Sequence, residues 1–215
     1  MTGDTGDRST KAAPATGGIA YFGYGSLVND ATRHPESVAV RGTLKGWVRE
    51  WRISGETPTG RVCGLTASPK PGSEIHGVLV LDSVAELPNL DIREGRYDRH
   101  ALPAEAFHVH GHAEEGGDHR EALSNAFVYR SKSEHYRWGD DAHPIRLSYV
   151  DCVLKGYLNH FGEEGPRHFI ETTEGWHIPV LNDRRAPLYP RAITVSEEEL
   201  ALFDRLLRQA GVRYI

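Results

Sequence analysis

The chain is predicted to adopt an α+β fold, in which a mixed, largely antiparallel sheet or small β-barrel is followed by a helical C-terminal part. Three observations predict it. Short apolar runs rich in β-branched and aromatic residues crowd residues 19–130, separated by Gly, Pro, Thr and Asn. From Ser148 onward the apolar residues recur at helical spacing instead. Strand-like and helix-like segments do not alternate regularly, which argues against a doubly wound sheet.

Residues 1–18 hold Gly, Thr, Ala, Asp, Lys, Pro and Ser, with Met1 as the only large apolar residue, so they are expected to form a disordered tail. Residues 19–24 read as a buried strand, and residues 29–35 as a polar turn. Residues 47–54 and 62–67 look like strands separated by a loop at 55–60. Residues 75–81 contain G-V-L-V-L, apolar on both faces as a central strand would be. A short helix-like segment at 84–90 precedes further strand candidates at 102–112 and 125–129. In the helical part, Tyr149, Val150, Val153, Leu154, Tyr157, Leu158 and Phe161 define one helix, with Ser148 placed to cap it and Gly162 to stop it. Residues 166–173 are expected to form a second, short helix. Ser196 and Glu199 form an S-x-x-E capping box opening a last helix, and residues 178–190 between them read as a long ordered loop. The expected organisation is a tail at 1–18, a core at 19–130 and a helical extension at 131–215 packed on that core.

At 215 residues the chain is long enough to bury a substantial core. Its 25 Lys+Arg against 30 Asp+Glu give a net charge of −5, which argues against a nucleic-acid surface. No apolar stretch approaches membrane-spanning length, and the N-terminus lacks the charged-then-apolar order of a signal peptide. Cys63 and Cys152 form no C-x-x-C and read as small buried residues rather than a disulfide or nucleophiles. A cytoplasmic protein needing no cofactor is expected.

Two stretches carry candidate chemistry. The first, I-A-Y-F-G-Y-G-S-L at residues 19–27, ends a strand in glycine and serine, which leaves backbone N–H groups suited to an anionic oxygen. A dinucleotide fingerprint fails here because Val28 stands where the third glycine is needed, and a phosphate-binding loop fails because no lysine lies nearby. A plain tight turn remains the alternative. The second, L-D-I-R-E-G-R-Y at residues 90–97, sets Glu94 before a glycine. Arg93, Arg96 and Arg99 would lower the Glu94 pKa, whereas burial would raise it. Taken alone, Glu94 reads as a loop carboxylate pairing with an arginine. The alternating His108, His110 and His112 could share one strand face and bind zinc or nickel, but their polar, Gly-rich surroundings favour a solvated strand end and no metal.

Together, Y-G-S-L after the first strand and R-E-G-x-Y some seventy residues later resemble the γ-glutamyl cyclotransferase superfamily, which includes γ-glutamyl cyclotransferase, γ-glutamylamine cyclotransferase and ChaC-like glutathione-degrading enzymes. The resemblance runs from Ile19 to about Arg130, including V-Y at Val128 and Tyr129. It implies a small mixed β-barrel with flanking helices. It also implies a glutamyl-binding loop formed by Phe22, Gly23, Tyr24, Gly25, Ser26 and Leu27, with Glu94 as catalytic acid/base and Tyr129 as a substrate contact. The implied partner is a small γ-glutamyl amide or peptide, whose own α-amine attacks its γ-carbonyl to release 5-oxoproline and a free amine. Nucleophile and electrophile share one molecule, so no metal, cofactor or protein nucleophile is required. A catalytically silent relative that binds a carboxylate ligand or a partner protein is the alternative. The sequence reads Y-G-S-L-V-N where ChaC-like proteins have Met-Trp after the leucine, while S-Y-V-D…G-Y-L at 148–158 is similar to ChaC-like C-terminal segments. The leaving amine and the oligomeric state therefore stay open.

Overall fold

The structure is a computed structural model that describes residues 18–110 and 123–215. The expected tail at 1–18 lies outside the described residues except for Gly18, which opens the first strand. That strand, β1 (Gly18–Gly23), is apolar enough to be buried from both sides. It is followed by β2 (Val38–Thr57) and β3 (Gly60–Ser83), a long antiparallel hairpin. The segments predicted as separate strands at 62–67 and 75–81 are two halves of β3. The P-K-P-G between them forms an irregularity in one continuous strand: Lys45 faces Glu74, and two residues on Trp47 faces Pro69. The loop expected at 55–60 shrinks to a turn at Pro58 and Thr59.

Next come helix α1 (Leu87–Arg93), β4 (Tyr97–Ala101), β5 (Phe107–Val109) and β6 (Phe127–Ser131). The strand expected over 102–112 is confined to β5 among the described residues, because Pro103 leads into a 3-10 turn at Ala104–Ala106. Its charged sequence hid β4, which pairs along β6 from Tyr97↔Ser131 to Ala101↔Phe127. The sheet then runs β4-β6-β1-β3-β2-β5, all antiparallel except the parallel β1–β6 pair, which starts at Tyr21↔Phe127.

The C-terminal part contributes β7 (Ile145–Arg146), α2 (Leu147–Phe161), α3 (Glu164–Glu171), β8 (Thr173–Glu174), β9 (Val180–Leu181) and α4 (Glu197–Gln209). β8 adds to β2 in parallel, and β7 pairs with β9. Among the described residues no ladder joins the edge strands β4 and β5. Past the end of β1, hydrogen bonds tie β6 and β4 to the first half of β3: Ser131 N donates to Thr66 Oγ1 at 2.9 Å and the Tyr97 hydroxyl to Leu65 O at 2.8 Å.

α2 lies on the sheet with Val150, Val153, Leu154 and Tyr157 fully buried. Its Tyr157 hydroxyl sits 2.9 Å from Tyr24 O and 2.7 Å from His76 O, and accepts from the buried Arg49 at 2.6 Å. Gly162 ends α2 with φ +66°, as expected. Ser148 does not cap it: the helix begins one residue earlier, and Ser148 N and Oγ bind the Asp183 carboxylate at 2.8 and 2.6 Å. The Ser196–Glu199 capping box on α4 is present in both directions. Cys63 and Cys152 are buried free thiols, and burial raises them to about 11 and about 12. No helix among the described residues is long and apolar enough to cross a membrane.

Candidate active site

β1 ends at Gly23, and the chain then makes a 3-10 turn at Ser26–Val28. Neither Gly23 nor Gly25 has a positive φ. What the turn needs is close approach. A Cβ on Gly25 would lie 2.6 Å from the Tyr149 hydroxyl of α2, and one on Gly23 3.1 Å from the Leu27 backbone. The turn is pinned to α2 by Asn29, whose Nδ2 donates to Cys152 O at 2.8 Å.

Glu94 follows α1, its N–H donating to Leu90 O at 2.9 Å and its carbonyl accepting from Tyr97 N at 2.8 Å. Its side chain is 14% exposed and pairs with Arg93 Nε at 3.0 Å. The same guanidinium donates to Ser26 Oγ at 3.1 Å, so Arg93 bridges Glu94 to the Gly25–Ser26 turn. Burial pushes the Glu94 pKa up, while the Arg93 and Arg191 charges pull it down. Of the other arginines expected to act on it, Arg99 pairs with Asp91 at 3.5 Å and Arg96 binds the Glu56 carbonyl.

Glu94 and the turn open onto common space. An inner recess of about 30 Å³ is lined by Phe22, Tyr24, Gly25, Ser26, Leu27 and Glu94, together with Leu65 and the phenols of Tyr97, Tyr129 and Tyr149. An outer cavity of about 460 Å³ reaches Ser26 and Glu94 on its floor and Tyr189, Pro190 and Arg191 at its rim. Of the predicted residues only Gly23 lines neither space. Tyr129 reaches the recess, but its hydroxyl donates to Asp91 Oδ1 at 2.7 Å. The Tyr24 hydroxyl donates to Tyr129 O at 2.7 Å. Burial raises the phenols of Tyr24, Tyr97 and Tyr149, and the charge of Glu94 pushes the same way, so they stay protonated donors. On Tyr149 a hydrogen bond from the Ser26 backbone opposes that rise.

Sequence reasoning missed the outer wall. Tyr149 sits in an apolar helical stripe and reads as packing, while Tyr189 and Arg191 belong to a Pro-rich loop with no local signal. Of the three alternating histidines, His108 is exposed, His110 Nε2 lies 2.7 Å from Thr43 Oγ1, and His112 is outside the described residues. Among the described residues no three His, Cys, Asp or Glu side chains are grouped to hold a metal.

The curled mixed sheet with its packed helices defines a fold class, and solved structures share that fold. A γ-glutamyl cyclotransferase superposes with a TM-score of 0.54 at 18% identity, over 87% of this chain and 99% of that one. An uncharacterized human protein superposes with a TM-score of 0.53 at 17% identity, over 87% and 98% of the two chains. The chain therefore has the γ-glutamyl cyclotransferase fold. No protein-family profile and no curated protein matches the sequence.

Proposed function

We propose that the protein is a γ-glutamyl cyclotransferase that converts a γ-glutamyl amide or peptide to 5-oxoproline and a free amine. The observation that carries the reading is that Glu94 and the Gly25–Leu27 turn line one recess, bridged by Arg93. The turn and the Tyr149 hydroxyl would hold the glutamyl carboxylate and bend the chain into its ring-closing conformer. Glu94 takes a proton from the substrate ammonium, and the freed amine attacks the γ-carbonyl. The oxygen of the tetrahedral intermediate is stabilised by N–H and O–H donors around Ser26. Glu94 then returns the proton to the departing nitrogen as the C–N bond breaks, and the ring nitrogen's second proton passes to the released amine, which leaves as its ammonium. Its raised pKa suits both halves of that cycle, since a base nearer the working pH both accepts and returns the proton readily. Tyr149, Tyr189 and Arg191 line the outer cavity, which supports a substrate-selecting role for residues 131–215. Incubating the purified protein with a panel of γ-glutamyl amides and peptides, without added metal, is expected to liberate 5-oxoproline. Binding without release across the panel would instead identify a catalytically silent relative.

A further inference from the structure

The charged side chains lining the outer cavity are Arg93, Arg96, Arg146 and Arg191 against Glu94 alone, although the whole chain carries a net charge of −5. Arg93 is engaged by Glu94 and Ser26, and Arg96 by the Glu56 carbonyl. Like Arg96, Arg146 and Arg191 have no carboxylate partner among the described residues. Arg146 is 4% exposed, yet all its hydrogen bonds go to neutral acceptors, including Thr59 Oγ1 at 2.7 Å, Leu188 O at 3.0 Å and Thr57 Oγ1 at 3.1 Å. Its Nε is buried with no hydrogen-bond partner among the described residues. The nearest opposing charge, Asp183, is spent on Ser148 and the Leu188 N–H. A buried guanidinium without a counter-charge is expensive, and a bound anion removes much of that cost. Arg191 is exposed at the rim and makes no ion pair among the described residues.

We infer that the outer cavity is a subsite for an anionic group on the leaving amine, with Arg146 and Arg191 as its specificity-determining residues. The assignment to the leaving side rests on the cyclotransferase reading: the glutamyl end occupies the recess at Ser26 and Glu94, so the other end of the substrate extends toward the Pro58–Thr59 turn and the Tyr189–Arg191 rim. The favoured substrates are γ-glutamyl peptides with a free carboxylate, and γ-glutamyl amides of neutral amines are poor ones.

Binding tests this apart from turnover. In the Glu94→Gln protein, which keeps the peptide intact, calorimetry compares γ-glutamylglycine with γ-glutamylglycinamide. The carboxylate form is expected to bind about tenfold tighter, with the preference falling below about threefold in Glu94→Gln combined with Arg191→Ala. Arg146→Lys, which keeps the charge but loses the unpartnered Nε–H, is expected to weaken the same preference. Equal affinities, no binding of either peptide, or a preference unchanged by both arginine variants overturns the inference. Selective binding with no 5-oxoproline from the wild-type protein leaves the subsite standing and sinks the cyclotransferase reading instead.

Discussion

Replacing Gly25 with alanine tests whether the recess depends on close approach of the turn to α2. The new Cβ would sit 2.6 Å from the Tyr149 hydroxyl oxygen and 3.4 Å from Leu65 Cδ2, so the tight contact is with one phenol. Relieving it to ordinary contact near 3.5 Å requires a shift of roughly 1 Å. Tyr149 cannot swing away freely, because its ring packs edge-on against Trp51 at 5.8 Å and Tyr189 at 5.0 Å. Overpacking of this kind costs about 1–3 kcal/mol, equivalent to a fall in Tm of roughly 2–12 °C for a chain of this size. Moving substrate-holding groups by about 1 Å lowers kcat/KM by about a hundredfold. Thermal unfolding and 5-oxoproline release measure the two effects. Adding Tyr149→Phe removes the clashing oxygen and is expected to restore most of the lost Tm, as a double-mutant cycle would show. Wild-type Tm and turnover in Gly25→Ala, or no recovery in the double variant, refutes the reasoning.

Other outcomes follow from the same geometry. Because burial raises Glu94 and the base must be ionised, kcat/KM is expected to fall as pH drops through a value above the ordinary 4.5. Arg191→Ala removes a charge that lowers it, so the acid limb moves to higher pH; a limb that stays put contradicts the assignment. His76 and His168 stack at 3.5 Å beside His110 and Arg49, and burial, with the neighbouring positive charges, lowers them to about 4 and about 3. The unfolded chain therefore takes up protons first, and stability present above pH 6.5 is lost as pH falls toward 4. His168→Phe is expected to shrink the drop in Tm between pH 7 and 5, and an unchanged drop would exclude this pair as its source. Alanine at Gly77 would drive a Cβ into Gly23 O and the Phe22 ring, costing about 3 kcal/mol or more, read by denaturant unfolding.

The parts of the fold legible in the sequence are those where a local pattern and the global structure agree. The run at 75–81 is central because it is apolar on both faces, and Ser196, Glu199 and Gly162 mark helix ends by their own hydrogen bonds and φ. Ser148 misleads because Asp183, thirty-five positions away, claims its hydroxyl, and β4 is hidden because Y-D-R-H-A sits at a sheet edge with most of its side chains in solvent. In the site, Glu94 and the Gly25–Leu27 turn share a recess, but Gly23 serves only the turn's packing. The missed residues, Tyr149, Tyr189, Arg146 and Arg191, are brought in by tertiary contacts alone. A tyrosine in an apolar stripe looks the same whether its hydroxyl is buried in a core or faces a ligand.

The central claim is that Glu94 moves the protons while the glycine-rich turn holds the substrate. Glu94→Gln preserves shape and hydrogen-bonding reach but abolishes the base, so 5-oxoproline release is measured beside calorimetric binding of the same γ-glutamyl peptide. The account predicts binding within about threefold of wild type and kcat reduced by about 10²–10⁴-fold. A Glu94→Gln protein that releases 5-oxoproline at the wild-type rate contradicts it.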